Sequence, residues 1–174
     1  MSKYIKQKKT RKDILYNNIL LLSRNRLFYT KFNLIDTFQN RIHLIFTHIS
    51  FLFIKIKQNN ENVGFRTFCQ EMFDLIFYKI ELNMREIGFG DTTINKNMRF
   101  LTKTFYNILF NCEKYKRMNM SNKNKFLNRY LEQNDIKNIT INMAIIEYFN
   151  KYEAFCFDLG LDSVLNGDLK FNYK

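Results

Sequence analysis

The chain has no proline and only five glycines in 174 residues, and this scarcity limits what it can fold into. Proline interrupts helices and glycine supplies the backbone angles of tight turns, so the chain has few points where regular structure must end. Long helices are therefore favoured over strands joined by tight turns. The hydrophobic fraction of 46% is ordinary for a globular protein and too high for a disordered one. We predict an all-α fold in a single compact domain.

Apolar residues recur at helical spacing in about six segments. The predicted helices cover residues 12–23, 37–56, 64–87, 93–112, 122–132 and 140–159. Asp36 is the predicted cap of the second helix, one of residues 91–93 caps the fourth, and Gly88 closes the third. The apolar run 42–54 is too short to span a membrane and is predicted as a buried core helix. Residues 161–174 are predicted as a short turn followed by an extended tail.

Two segments have more than one interpretation. The connector after the first helix carries Phe28, Tyr29 and Phe32, which would join the core if buried and form a docking patch if exposed. Residues 1–12 hold six basic residues and no acidic one, which predicts a flexible arm ahead of a helical domain at 13–174. The arm would contact anionic lipid or RNA phosphates, or only solubilise the chain. The net charge of +12 permits either contact, but AT-rich codons also produce such a charge without selection.

No residue pattern in the sequence indicates an enzyme or a metalloprotein. His43 and His48 are five residues apart, about 140° around a helix, so they cannot share a metal ion as residues four apart do. Both are predicted as core or interface imidazoles. The three cysteines are isolated and form neither a zinc motif nor a disulfide framework. We expect no cofactor and no catalytic activity, and we expect no apolar leader for secretion.

The densest local feature is the segment 82–91, which contains two of the five glycines within three positions. Gly88 and Gly90 indicate a joint between two helices. The segment is not a dinucleotide-binding loop, because no strand precedes it and the third glycine is missing. Glu81 and Arg85 are spaced four apart on the preceding helix and are expected to form a surface ion pair.

Several motifs occur in an order that resembles the ubiquinol–cytochrome c chaperone family. First comes an aromatic pair, followed by Asp-Thr, an arginine and a histidine within an apolar helix. Two acidic residues come next, ahead of the run Arg-Glu-x-Gly-x-Gly-Asp. A lysine and a Phe-Tyr pair follow that run. The residues that match are Phe28, Tyr29, Asp36, Thr37, Arg41, His48, Asp74, Glu81, Arg85, Glu86, Gly88, Gly90, Asp91, Lys96, Phe105 and Tyr106. By resemblance they are candidates for contact with a client or partner. The chain departs from the family pattern at Asn40, Ile42, Glu81 and Asn107.

The resemblance implies an all-helical, non-enzymatic chaperone that assists assembly of respiratory complex III. Its client would be newly made cytochrome b, bound near the ribosomal tunnel exit with a small partner assembly factor and held until haem insertion. The similarity begins near the start of the chain, so we expect a bacterial member that is cytoplasmic and peripheral to the inner membrane. A eukaryotic member would lie on the matrix side of the mitochondrial membrane.

Two other functions stay open at this point. A basic helical module could bind RNA or the ribosome without any role in complex III, and its affinity would then fall steeply with salt. A peripheral membrane protein could instead use the basic arm at residues 1–12 to bind anionic headgroups.

Overall fold

The computed structural model describes residues 10–58, 63–134 and 139–173, and its helices pack around one hydrophobic core. In chain order the elements are α1 (Arg11–Ser23), α2 (Leu27–Thr30), α3 (Phe38–Gln58), α4 (Val63–Ile87), α5 (Asp91–Lys114), a 3-10 turn (Tyr115–Arg117), α6 (Met120–Tyr130), α7 (Ile139–Asp158) and α8 (Leu161–Asn166). The described residues form no strand, and Leu34 and Gln133 make an isolated bridge. The predicted all-α fold is confirmed.

Two short helices occupy segments that were predicted as connector and tail. α2 is a single turn, and the amide of its first residue, Leu27, donates to the side chain of Asn25 at 3.0 Å. α8 lies between Gly160 and Gly167 and buries Val164 completely. Both helices are too short to display the helical period, which needs a window of about eleven residues or more. Tertiary burial therefore defines them where the local pattern does not.

α3 is the central helix of the core and packs against α1, α4, α5 and α7. Every side chain from 42 to 54 is buried, which confirms the predicted core helix. The polar residues in this run are accommodated because they bond within the helix: Thr47 Oγ1 donates to the carbonyl of His43 at 2.8 Å, and Ser50 Oγ donates to that of Phe46 at 2.7 Å. Among the described residues, no helix is long and apolar enough to cross a membrane.

The cap of α3 is Thr37, and the prediction of Asp36 is wrong. The Thr37 hydroxyl oxygen accepts from the backbone amide of Asn40 at 3.1 Å, which satisfies one of the free amides at the helix start. Asp36 instead accepts two hydrogen bonds from the guanidinium of Arg41, at 2.7 and 2.8 Å. Because α3 begins at Phe38, Asp36 lies one residue before the cap position, and its carboxylate is free to pair with Arg41.

The joint between α4 and α5 is partly as predicted. The amide of Gly88 donates to the carbonyl of Arg85 at 3.0 Å, and the φ angle of Gly88 is +97°, as expected for a glycine that closes a helix. α5 begins at Asp91, two residues earlier than predicted, so none of residues 91–93 is its cap. Gly90 occupies that position without a side-chain acceptor, and Asp91 lies in the first turn, where the helix dipole favours its charge.

The start of α1 lies within the predicted basic arm, of which residues 1–9 are outside the described part of the chain. Thr10 caps the helix in a reciprocal arrangement with Asp13, since each side chain accepts from the other residue's amide. The Thr10 hydroxyl and amide hold the pKa of Asp13 below its usual value. Lys12 contacts Glu71 of α4, with Nζ 2.8 Å from Oε2. The flexibility of the arm stays a prediction.

Replacing Gly167 by alanine is expected to lower the free energy of unfolding by about 2 to 3 kcal/mol, because two costs combine. Its φ angle is +77°, which strains any side chain, and a Cβ atom would lie 2.8 Å from the backbone nitrogen of Leu15. Urea unfolding would measure the loss.

The matched control is Gly88→Ala, where φ is also positive but nothing lies within 4 Å of the added Cβ. It is expected to cost only about 1 kcal/mol. Equal losses in both variants would show that α8 does not pack tightly against α1.

Candidate functional site

The end of α3, the start of α4 and the second half of α5 enclose an open apolar groove of about 580 Å³, here called the aromatic groove. Its walls include Phe53 and Ile54 of α3, Phe65, Cys69 and Phe73 of α4, and Phe105, Tyr106, Leu109 and Phe110 of α5. A volume of this size is within the range of ligand-binding clefts. It is large enough to receive apolar side chains from a partner.

Aromatic contacts hold the floor of the groove in place. The ring centroid of Phe73 lies 5.3 Å from that of Phe105 and 5.9 Å from that of Tyr106, and Phe53 lies 6.1 Å from Phe105. Phe105 is buried, whereas Tyr106 and Phe110 are 54% and 55% exposed at the rim. Large exposed rings beside a concave apolar floor mark a surface suited to contact with an apolar partner.

The groove has a polar edge as well as an apolar floor. Lys57 Nζ of α3 lies 2.8 Å from Glu113 Oε1 of α5. This ion pair lines the groove together with Arg66 and Gln70 of α4. Burial raises the pKa of the Cys69 thiol to about 11, so the thiol is protonated at neutral pH and acts as an apolar wall. The groove therefore combines apolar contact with a charged border.

Two predicted site residues line the aromatic groove, and a third lies beside it. Phe105 forms its floor and Tyr106 its rim, as described above. Asp74 is exposed just beyond the groove and accepts a hydrogen bond from Gln70, a lining residue, at 2.9 Å. The Phe-Tyr pair and the aspartate are 31 positions apart in the sequence, and the pairing of α4 with α5 brings them together.

A second group of predicted residues ties the end of α4 to the start of α5. The guanidinium of Arg85 donates to Glu81 Oε1 at 2.8 and 3.1 Å and to Asp91 Oδ1 at 2.6 Å. The Glu81 and Asp91 carboxylates raise the pKa of Arg85 above its ordinary value. The predicted Glu81–Arg85 pair is confirmed, and Asp91 extends it across the joint. Four more predicted residues are exposed at or after this joint: Glu86, Gly88, Gly90 and Lys96.

A third group lies at the start of α3. Arg41 and Asp36 form the two-bonded pair described above, and their side chains are about half exposed. The Tyr29 hydroxyl donates to the carbonyl of Ser23 at 3.3 Å and is half-buried. Thr37 is occupied as the cap of α3. This group fastens the segment between α1 and α3 and lies at the start of α3, whereas the groove is lined by the end of that helix.

Phe28 and His48 are core residues, so the connector is not an exposed docking patch. Phe28 is fully buried, and its ring centroid lies 4.9 Å from that of Tyr148 and 5.9 Å from that of His48. His48 Nδ1 donates to the carbonyl of Leu44 at 2.6 Å, and its Nε2 accepts from the Tyr148 hydroxyl at 2.8 Å. His43 is also buried, and Nδ1 pairs with the carbonyl of Tyr130. The prediction that both histidines are structural imidazoles is confirmed.

Asn40, a departure from the family pattern, has a structural role that the sequence did not indicate. Its amide nitrogen donates to the carbonyls of Ile35 and Glu132 at 2.7 and 2.8 Å, and its oxygen accepts from the amide of Glu132 at 2.9 Å. The side chain is 1% exposed. It thereby joins the start of α3 to the segment that follows α6.

Most residues of the aromatic groove were not among the site residues predicted from the sequence. Phe53 lies on the apolar pattern of the second predicted helix, Phe73 lies in the family-like segment directly before Asp74, and Phe110 was not singled out. One signal was available: Tyr106 and Phe110 are four apart, on the face of α5 opposite its apolar stripe, where large rings are not expected. The described residues contain no group of three side chains suited to hold a metal ion.

By its fold and its surface, the chain is an all-helical protein with an open aromatic groove. The chain belongs to the ubiquinol-cytochrome C chaperone family, whose sequence model matches residues 30–169. It is also similar in structure to the crystal structure of the Cbp3 homolog from Brucella abortus, with a TM-score of 0.79 over 94% of this chain and 89% of that one. At 21% identity, this similarity shows a shared fold. No curated protein sequence matches the chain.

Proposed function

We propose that the chain is a non-enzymatic assembly chaperone for respiratory complex III that holds an apolar segment of newly made cytochrome b in the aromatic groove. Membership of the ubiquinol-cytochrome C chaperone family supports the role in assembly. The observation that carries the binding site is the pair of exposed rings, Tyr106 and Phe110, above the buried floor of Phe73 and Phe105. Exposed rings grouped above an apolar floor are typical of a surface that a partner covers.

The mode of binding follows from the shape of the groove. Two helices, α4 and α5, form its long walls, so an apolar helix can lie between them and insert side chains at three- or four-residue spacing. Burial of apolar surface supplies the affinity, at about 25 cal/mol per Å² removed from water. The Lys57–Glu113 pair at the edge favours a client with polar residues next to its apolar run.

An open groove also explains how a client could be released. It covers one face of a bound helix and leaves the other face free to contact its final partners. As those partners bury the free face, they compete with the chaperone for the same apolar surface. No nucleotide or cofactor is required in this scheme, because binding and release both depend on which surface buries the client better.

The family resemblance provides the finer parts of the proposal. The client is held until haem is inserted, a small partner assembly factor binds the same chain, and the pair acts near the ribosomal tunnel exit. The protein is peripheral to the membrane that receives cytochrome b, on the cytoplasmic side in a bacterium and the matrix side in a mitochondrion. The exposed Arg85 cluster at the α4–α5 joint is a candidate surface for the partner factor.

Replacing Tyr106 by aspartate is expected to reduce capture of cytochrome b at least about 30-fold, the loss typical of a central contact residue. A carboxylate at the rim must be desolvated when an apolar client binds. The measurement is affinity capture of the tagged full chain from its own cells, with quantification of the cytochrome b that is retained.

The control is Asn107→Asp, which adds the same charge at the next exposed position of α5 but does not line the groove. It is expected to change capture by less than about twofold. Equal capture by wild type and Tyr106→Asp would rule out the groove as the client site. If deletion of the gene left spectral cytochrome b unchanged, the assembly role itself would be wrong.

A further inference from the structure

We propose that a second cleft, between α5 and α6, binds the headgroups of anionic phospholipids and so holds the protein against a membrane surface. The cleft has a volume of about 630 Å³, and its lining includes Lys114, Arg117, Lys125 and Arg129. We call it the basic cleft. The inference rests on the peripheral location proposed above and deepens it by naming the surface and the lipid class.

The four cations of the basic cleft have no carboxylate among the residues that line it with them. Across the described residues, the ion pairs within 4.0 Å involve other cations, such as Lys12, Lys57 and Arg85. Four like charges that converge on one concave surface repel each other and lower that repulsion by binding an anion. The charge of the cleft therefore favours an anionic group, such as the phosphate of a lipid headgroup.

A neighbouring lysine, Lys123, is held by contacts within the fold and does not line the basic cleft. Lys123 donates to Asn150 Oδ1 at 2.7 Å, and its Nζ lies 4.5 Å from the ring centroid of Tyr115. Burial lowers the pKa of this lysine. Lys123 is thus part of the packing between α6 and α7, whereas Lys114, Arg117, Lys125 and Arg129 are exposed and line the cleft.

The rim of the cleft favours a lipid surface over RNA. Phe110 directly precedes the lining residue Asn111 on α5, and Met120 is the first residue of α6; they are 55% and 49% exposed. Lys114 Nζ lies 3.8 Å from the centroid of the Phe110 ring. Exposed apolar side chains beside lysine and arginine are typical of proteins that bind at the membrane interface. RNA-binding clefts offer open aromatic faces for base stacking. Here Phe126 is buried, and the Tyr130 ring is in contact with Arg129 and with Phe126.

The basic cleft and the aromatic groove share one helix. Phe110 lines the groove, and Lys114 lines the cleft one turn later on α5. Headgroups bound in the cleft would therefore place the open rim of the groove at the bilayer surface. A membrane segment could then pass between the bilayer and the groove with little exposure to water.

The test measures co-sedimentation of the purified full chain with vesicles. We expect binding to phosphatidylcholine vesicles that contain about one third phosphatidylglycerol to be at least about 30-fold tighter than to phosphatidylcholine alone. The cleft variant carries Lys114→Gln, Arg117→Gln, Lys125→Gln and Arg129→Gln. It is expected to lose at least about tenfold of the affinity for the anionic vesicles.

Two matched variants separate the cleft from net charge and from folding. The arm variant carries Lys3→Gln, Lys6→Gln, Lys8→Gln and Lys9→Gln, so it removes four positive charges, as the cleft variant does, but from a different part of the chain. It is expected to lose less than about threefold of the affinity. The variant Lys114→Arg with Lys125→Arg keeps the charge and is expected to bind as wild type does.

Three results would overturn the proposal. One is equal binding of wild type and the cleft variant to anionic vesicles, and another is loss of binding in the arm variant alone. The third is that the wild-type protein does not bind vesicles but binds a labelled single-stranded RNA, and that the cleft variant does not bind this RNA. These measurements contain no cytochrome b, so they can fail while capture of the client through the groove still succeeds.

Discussion

Replacing Phe28 by alanine is expected to lower the free energy of unfolding by about 3 to 5 kcal/mol, the range for truncating a large buried ring. Phe28 is fully buried, with rings of Phe32, Tyr148 and Phe149 around it at centroid distances from 4.9 to 6.3 Å. The cavity left behind would lie between α2, α3 and α7. Equilibrium unfolding in urea would measure the loss.

The matched control is Phe100→Ala, because the Phe100 side chain is 59% exposed. This variant is expected to change the free energy of unfolding by less than about 0.5 kcal/mol. The comparison also bears on function, since Phe28 belongs to the family-like motifs. If Phe28→Ala reduced client capture while the protein stayed as stable as wild type, Phe28 would contact the client and not the core.

Acidification is expected to destabilise the protein by about 3 kcal/mol through His48 alone. Complete burial lowers the pKa of His48 from its ordinary value of 6.5 to about 4. The unfolded chain therefore binds a proton at a pH where the folded chain does not. The stability from this residue is fully present above about pH 6.5 and is lost as the pH falls toward 4. Burial also lowers the pKa of His43, which adds to the effect with the same sign.

Urea unfolding at a series of pH values would measure this dependence. In the variant His48→Gln the side chain can still donate to the carbonyl of Leu44 and accept from the Tyr148 hydroxyl, but it does not titrate. The variant is expected to be less stable at neutral pH and to show a shallower loss between about pH 6.5 and 4. An unchanged slope would mean that other groups cause the acid sensitivity.

Some of the family-like motif residues stabilise the fold and others lie exposed at the surface. Only substitutions of the exposed ones test function without changing the stability of the fold. Phe28, His48 and Thr37 hold the core or cap a helix, so substitutions there act on folding first. Tyr106 is exposed at the groove, and Arg85 lies in an exposed cluster, so substitutions there leave the core intact. Matching positions in a family pattern are therefore unequal guides to a binding site, and burial distinguishes them.

Local pattern was sufficient to predict the fold class and one of the joints. The helical period of α3 and its uniform apolarity predicted a buried central helix, because burial on all sides leaves no polar face in the sequence. Gly88 predicted the end of α4, because only glycine adopts its positive φ angle at little cost. Both predictions depend only on residues close in the sequence and require no information about contacts between distant segments.

Only the tertiary structure placed the aromatic groove, because its floor joins Phe53, Phe73 and Phe105 from three helices. The same holds for the contact of His48 with Tyr148, which are 100 positions apart. The cap depended on the exact start of α3: the helix begins at Phe38, so Thr37 occupies the cap position and Asp36 pairs with Arg41. The sequence alone determined that the chain forms long helices around one core, through periods that act over a few residues. Which side chains meet at a surface was decided by the packing of those helices, because that packing is settled by the whole core and not by any one segment.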